Sequence, residues 1–316
     1  MKNILKKLAL LAIPVAVWLA VFIAFEPNNY FGLKDSAGSS QPVARVRAYQ
    51  QDPGRSLILG DSRLAHFDME QVAAVSGAEW QNLSFGGASL KETLDLADYV
   101  LQSGNPVDTL LVGVSFYTLN ESYDTDRFAQ LEETLENPLA YCLNLEYNVN
   151  ALTVLMDTLR GTPDAIESGD WVESDYLADD GTVLPLHRKL YDYPATITPK
   201  CRNWTLNEEQ FARLRTLAAD CNAQGVRLIV VLPPMAENVR TEVCDVFGIT
   251  EAMENEVLPT LRAWSEADGF TLLDYEWGGS CITDDDTQFF DGFHLDERYG
   301  LPDWTEELFT DVTATA

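Results

Sequence analysis

The chain is poor in cysteine, histidine and basic residues, holding 5 Cys, 3 His and 21 Lys plus Arg in 316 residues. Cys142, Cys201, Cys221, Cys244 and Cys281 include no C-x-x-C pair and no zinc-like spacing, so neither a metal nor another cofactor is called for. Their odd number leaves at least one thiol unpaired within a single chain, and most read as small buried apolar residues. Against the few cations stand 50 Asp plus Glu, a balance of −29. Such a field repels a phosphate backbone, which excludes nucleic acid as a partner and disfavours broad contact with anionic lipid. Glycine and proline are scarce too, at 19 and 14, and 46% of residues are hydrophobic. That composition excludes wholesale disorder and fibrous repeats and supplies a substantial core.

One long apolar run is present. Lys2, Lys6 and Lys7 precede the uncharged stretch Leu8 to Phe25, 18 residues that would be about 27 Å long as a helix. The run ends in Phe25-Glu26-Pro27 without a small-x-small cleavage site, so it reads as an uncleaved transmembrane anchor, with a cleaved signal peptide as the competing reading. Residues 1–7 would then be cytoplasmic and the rest exported, a membrane-anchored chain with its main domain extracytoplasmic. Residues 26–54 carry Pro27-Asn28-Asn29, Ser36 to Ser40 and Asp52-Pro53-Gly54 and read as a linker.

From residue 55 the pattern changes. Ser56 to Gly60 is a short apolar strand, and Leu64 to Val75 is expected as the helix behind it. Ser89-x-x-Glu92 is a capping box ahead of a helix whose Leu90, Leu94, Ala97 and Leu101 share a face. Strands follow at Thr109 to Ser115, Val226 to Leu232 and Phe270 to Tyr275. Between them lie a helix capped by Asn207 and ended at Gly225, and another over Glu251 to Ala267 that restarts at Pro259. Alternation of this kind predicts an α/β domain over 55–310, a flavodoxin-like, doubly wound parallel sheet. It fails over about 121–202, which reads as an insertion carrying Trp171, Tyr176, Tyr191 and Tyr193. These aromatics have sugar stacking and simple packing as alternatives, and packing is the more ordinary use.

Four segments fall at carboxyl ends of predicted strands and would converge on one edge: Gly60-Asp61-Ser62, Asn82 to Gly87, Gly113-Val114-Ser115, and Asp291-Gly292-Phe293-His294. A serine hydroxyl attacks poorly at neutral pH unless a base takes its proton and a carboxylate orients that base. Ser62, His294 and Asp291 can fill these roles as nucleophile, base and orienting acid. The amides at the start of the helix after Ser62, with the Gly87 amide, can receive the oxyanion that forms on attack. Arg63, Asn82 and Ser84 are candidates for substrate contact, with a salt bridge as the alternative for Arg63. His187 reads as structural; His66, four residues after Ser62 on the same expected helix, neighbours the site but points away from a base role, and the acidic runs Asp284-Asp285-Asp286 and Glu132-Glu133 read as solvated faces.

In these four blocks, together with Val230-Val231-Leu232-Pro233-Pro234, the chain resembles the SGNH hydrolases, or GDSL esterases and lipases. The resemblance implies the SGNH hydrolase fold, a Ser62, Asp291 and His294 triad, and an oxyanion hole from the amides of Ser62 and Gly87. The family's third block is Gly-x-Asn-Asp, whereas this chain has Gly113-Val114-Ser115-Phe116. Ser115 thus replaces the asparagine donor, a change worth about 3 kcal/mol of transition-state stabilisation. In layout the chain resembles the membrane-anchored SGNH-like proteins of cell-envelope polymer acylation, which act beside membrane-bound O-acyltransferases. That implies an esterase or O-acyltransferase acting on an acylated carbohydrate or cell-envelope polymer through an acyl-serine. The alternative is a non-catalytic envelope-assembly or glycan-binding protein.

Overall fold

The computed structural model describes residues 2–35, 37, 39–161, 198–278 and 288–315. The chain divides into two compact units, one of residues 1–52 and 129–170, the other of residues 53–128 and 171–316.

The larger unit is built on five parallel strands: β1 (Ser56–Leu59), β2 (Gln81–Asn82), β3 (Thr109–Gly113), β4 (Arg227–Leu232) and β5 (Thr271–Asp274), in the order β2-β1-β3-β4-β5. Ile58 pairs with Asn82 on one side and Leu111 on the other, and Val112 pairs with Val230. Leu57, Ile58, Leu110, Leu111, Ile229 and Val231 are fully buried, as strands covered on both faces require. Right-handed crossovers in this order place Met69–Ser76 and Gly300–Ala314 together on one face. Leu90–Gln102, Glu208–Gln224 and Leu258–Asp268 lie on the other. The doubly wound, flavodoxin-like expectation holds. Chain direction reverses between β1 and β3, the switch point where ligands bind in such sheets.

Local signals explain most helix ends. The Ser89–Glu92 capping box forms, Asn207 caps through Gln210 N, and Gly225 closes its helix at φ +70. The stretch expected to be one helix over Leu64 to Val75 is two. Ser62–Ala65 is a single turn, and Asp68 caps a new helix through the amides of Glu70 and Gln71. Phe67, at the break, is buried against Trp304 and Phe309. A one-turn helix adds little macrodipole, so an anion beside Ser62 would depend on local amides.

The smaller unit corrects two expectations. Residues 26–54 contain the helix Pro42–Gln51, and Tyr30, Val43, Val46 and Tyr49 are buried, so most of this stretch is folded and is no linker. Tyr30 stacks on Tyr141 at 3.9 Å, and the buried Glu26 accepts from the amides of Asn28 and Tyr30 and from the Tyr141 hydroxyl at 2.6 Å. Of the expected insertion, residues 121–128 fall in the larger unit and 129–170 in the smaller. The N-terminal helix is Lys2–Phe25. Its last turns are engaged with protein: Trp18 donates to Asn148 at 2.7 Å, and Phe22 is buried against Tyr141. Among the described residues no helix is long and apolar enough to cross a membrane. The expected span over 8–25 is therefore not supported by the structure. Trp171, Tyr176, Tyr191, Tyr193, His187, Cys281 and Asp284 to Asp286 lie outside the described residues, while Glu132 and Glu133 are exposed.

Candidate active site

At the end of β1 the chain turns sharply over two glycines. A methyl group on Gly60 or Gly113 would meet Leu64 Cδ1 at 2.7 or 2.3 Å, so the absence of a side chain at both lets Leu64 settle onto the switch point. Ser62 is thereby carried on a turn that sits directly on the strand ends. The turn is pinned from three sides. Asp61 caps it through Arg63 N at 3.1 Å, the Tyr117 hydroxyl donates to the other Asp61 oxygen, and Asn82 Nδ2 donates to Leu64 O at 2.7 Å.

From the far end of the sequence, the segment 289–295 folds into a small loop closed by the Phe289 and Leu295 bridge and by Phe290 N donating to His294 O at 2.8 Å. Ala236 N donates to Gly292 O at 2.9 Å, which ties this loop to the end of β4. His294 Nε2 lies 2.7 Å from Ser62 Oγ, and His294 Nδ1 lies 2.8 Å from Asp291 Oδ2. The other Asp291 oxygen accepts from Phe293 N and His294 N at 2.9 and 2.8 Å. Burial alone would lift the Asp291 carboxyl. The charge and hydrogen bonds of His294, with the two amides, outweigh burial and hold it below the ordinary carboxylate range. Asp291 is 2% exposed and His294 8%, while Ser62 is half-buried, so the relay opens at its serine end.

Among the described residues, the amides of Ser62 and Gly87 donate to no protein acceptor. Gly87 has φ +66, a conformation that favours glycine, and its carbonyl accepts from Arg127 at 3.0 Å. Arg127 also donates to Gly86 O, and Glu92 holds Arg127 through Nε at 2.9 Å. The capping-box glutamate thus has a second job that its motif does not announce.

Four candidates have other duties. Arg63, expected at substrate, is buried in an ion pair with Glu276 at 2.7 Å, the two side chains 2% and 0% exposed. It also donates to Ser115 Oγ at 3.0 Å and to the carbonyls of Pro233 and Pro234. Ser115 therefore belongs to this ion-pair cluster instead of replacing the asparagine donor. Asn82 is spent on Leu64 O and Ser84 N, and Ser84 is fully buried, so neither reaches a substrate. Glu276 also accepts from Phe116 N and from the Trp277 indole, and burial pushes its carboxyl up to about 7 against the pull of Arg63. Its only sequence signal is an acid two residues past the end of β5. His66 pairs with Glu297 at 3.0 Å and stands outside the relay.

Solved structures similar to this chain include the following three. TesA is 12% identical over 82% of this chain and 98% of its own, with a TM-score of 0.40. A Desulfitobacterium hafniense protein assigned to the G-D-S-L lipolytic family is 8% identical over 83% and 100%, at 0.39. A Bacteroides fragilis protein assigned as an acylhydrolase is 9% identical over 83% and 89%, at 0.37. No protein-family model matches the chain, and no curated protein is significantly similar. The likeness is loose, and the function below stands on distances within this chain. Cys142, Cys201, Cys221 and Cys244 are buried free thiols that take no part in the site.

Proposed function

We propose that this protein is a serine esterase that forms and resolves an acyl-Ser62 intermediate. The observation that carries the reading is the hydrogen-bonded sequence Ser62, His294, Asp291, with distances of 2.7 and 2.8 Å. In the first step His294 Nε2 takes the Ser62 proton as Oγ bonds to the ester carbonyl carbon. The imidazolium then gives that proton to the departing alcohol oxygen as the tetrahedral adduct collapses. Asp291 holds the Nδ1 proton and stabilises the imidazolium. The free amides of Ser62 and Gly87 receive the oxyanion. In the second half-reaction water or another hydroxyl attacks the acyl-serine with His294 again as base, which makes hydrolysis and acyl transfer two fates of one intermediate.

The finer parts of the proposal rest on the sequence. The layout supports an acyl ester of a cell-envelope polysaccharide or similar polymer as substrate, a membrane-bound O-acyltransferase as partner, and export with tethering through residues 8–25. An intact relay favours catalysis over a purely glycan-binding role. The test is turnover of p-nitrophenyl acetate and of acetylated sugars by the full chain. The wild type should release acetate and Ser62→Ala should not; equal rates in the two would discard the reading.

A further inference from the structure

We propose that the Tyr123 hydroxyl donates the third oxyanion hydrogen bond, in the place that Ser115 leaves unfilled. This inference rests on the acyl-serine reading and deepens it. The segment 120–127 straps over the Gly86-Gly87 turn. Thr125 Oγ1 donates to Glu92 Oε2 at 2.8 Å and lies 3.3 Å from Gly87 O, Ser89 Oγ donates to Thr125 O at 2.6 Å, and Arg127 holds both glycine carbonyls. Those contacts consume the turn's acceptors and leave the Gly87 amide free.

The same strap brings Tyr123 alongside. A methyl group built on Gly87 would lie 3.9 Å from the Tyr123 hydroxyl oxygen, the one atom it would approach within 4 Å. The phenol is held in place by Tyr117, whose ring centroid is 5.4 Å away, by Lys200 Nζ at 4.8 Å over the ring, and by Tyr123 N donating to Asn120 O at 2.8 Å. Its hydroxyl has no hydrogen-bond partner among the described residues. The nearby carboxylate of Asp61 does not claim it, because its two oxygens already accept from Arg63 N and the Tyr117 hydroxyl. Burial, then the negative charge of Asp61, push the phenol above its ordinary range. It therefore keeps its proton and can donate it at any pH where His294 acts as a base. A positioned, half-buried donor beside the free Gly87 amide fits a charge that develops only after Ser62 attacks.

Tyr123→Phe removes the hydroxyl and keeps the ring. With p-nitrophenyl acetate and the full chain, kcat should fall about 100-fold at nearly unchanged KM, as for loss of one oxyanion donor. The affinity for benzeneboronic acid, which makes a tetrahedral adduct with serine, should weaken in parallel. A packing role alone would move neither. Retention of kcat and boronate affinity within twofold, in a preparation where Ser62→Ala is inactive, overturns the Tyr123 assignment and leaves the serine mechanism standing. Undiminished turnover by Ser62→Ala overturns both.

Discussion

Ser62 and Arg63 leave the same strand end side by side and enter two different charge systems. The relay of Asp291, His294 and Ser62 ends at a half-buried hydroxyl, and the amides of Ser62 and Gly87 donate to no protein acceptor among the described residues. The cluster around Arg63 is closed. Its Nη1 and Nη2 are spent on Glu276, Ser115 and two proline carbonyls, its Nε is buried without a partner, and Glu276 accepts from Phe116 N and Trp277. The open system can offer a proton and receive a charge; the closed one can only hold β1, β3, β4 and β5 ends together. Burial alone does not mark a catalytic charge at this edge. An end open to solvent does: Ser62 is half-buried, whereas the unpartnered Arg63 Nε and Ser84 Oγ are shut in.

Substitutions can break this contrast, in descending order of effect. Ser62→Ala should remove about 10,000-fold or more of kcat/KM while leaving the unfolding midpoint within a few degrees. Asp291→Asn should cost activity by about 10,000-fold, since it leaves His294 in the wrong tautomer. Asp291 has a second signature in stability against pH. Its carboxyl is held below the ordinary range when folded, so it favours the folded state above that range. The contribution is lost as pH falls through the lowered value. Thermal unfolding followed from neutral to acid pH should therefore be less steep in Asp291→Asn.

Arg63→Met reverses the pattern. It leaves Glu276 buried without its cation and should destabilise the chain by about 3 to 5 kcal/mol, read in urea unfolding. Ser115→Ala is the smallest. Arg63 keeps its other partners, so a loss of about 1 kcal/mol with kcat unchanged within threefold is expected. A 100-fold fall in kcat would return Ser115 to the oxyanion site and erase the contrast.

Four of the sheet's strands were legible because each is a short apolar run bounded by a turn or a cap, as Val226 to Leu232 before Pro233-Pro234 illustrates, whereas β2, the polar pair Gln81–Asn82, carries no such signal. Ser62 was legible because residue type and position at a strand end combine with the switch-point rule, and Asp291 and His294 because an acid and an imidazole stand three positions apart; that they sit in a loop, and not at a strand end, was not legible. Arg63 with Glu276 was not, since the pair spans 213 positions and Glu276 belongs to no motif. Asn82 and Ser84 sit in a block that reads as a binding motif, yet their side chains are turned to the fold. Residues 26–54 misled for another reason. Their polar and turn-rich composition hides Tyr30 and Glu26, whose partner Tyr141 comes from more than a hundred residues away.

The most direct measurement is the intact mass and peptide map of the folded full chain after treatment with a fluorophosphonate. One adduct, located on Ser62 and absent from Ser62→Ala, is the predicted result. A folded wild-type chain that stays unlabelled, or an adduct that persists in Ser62→Ala, would contradict the account.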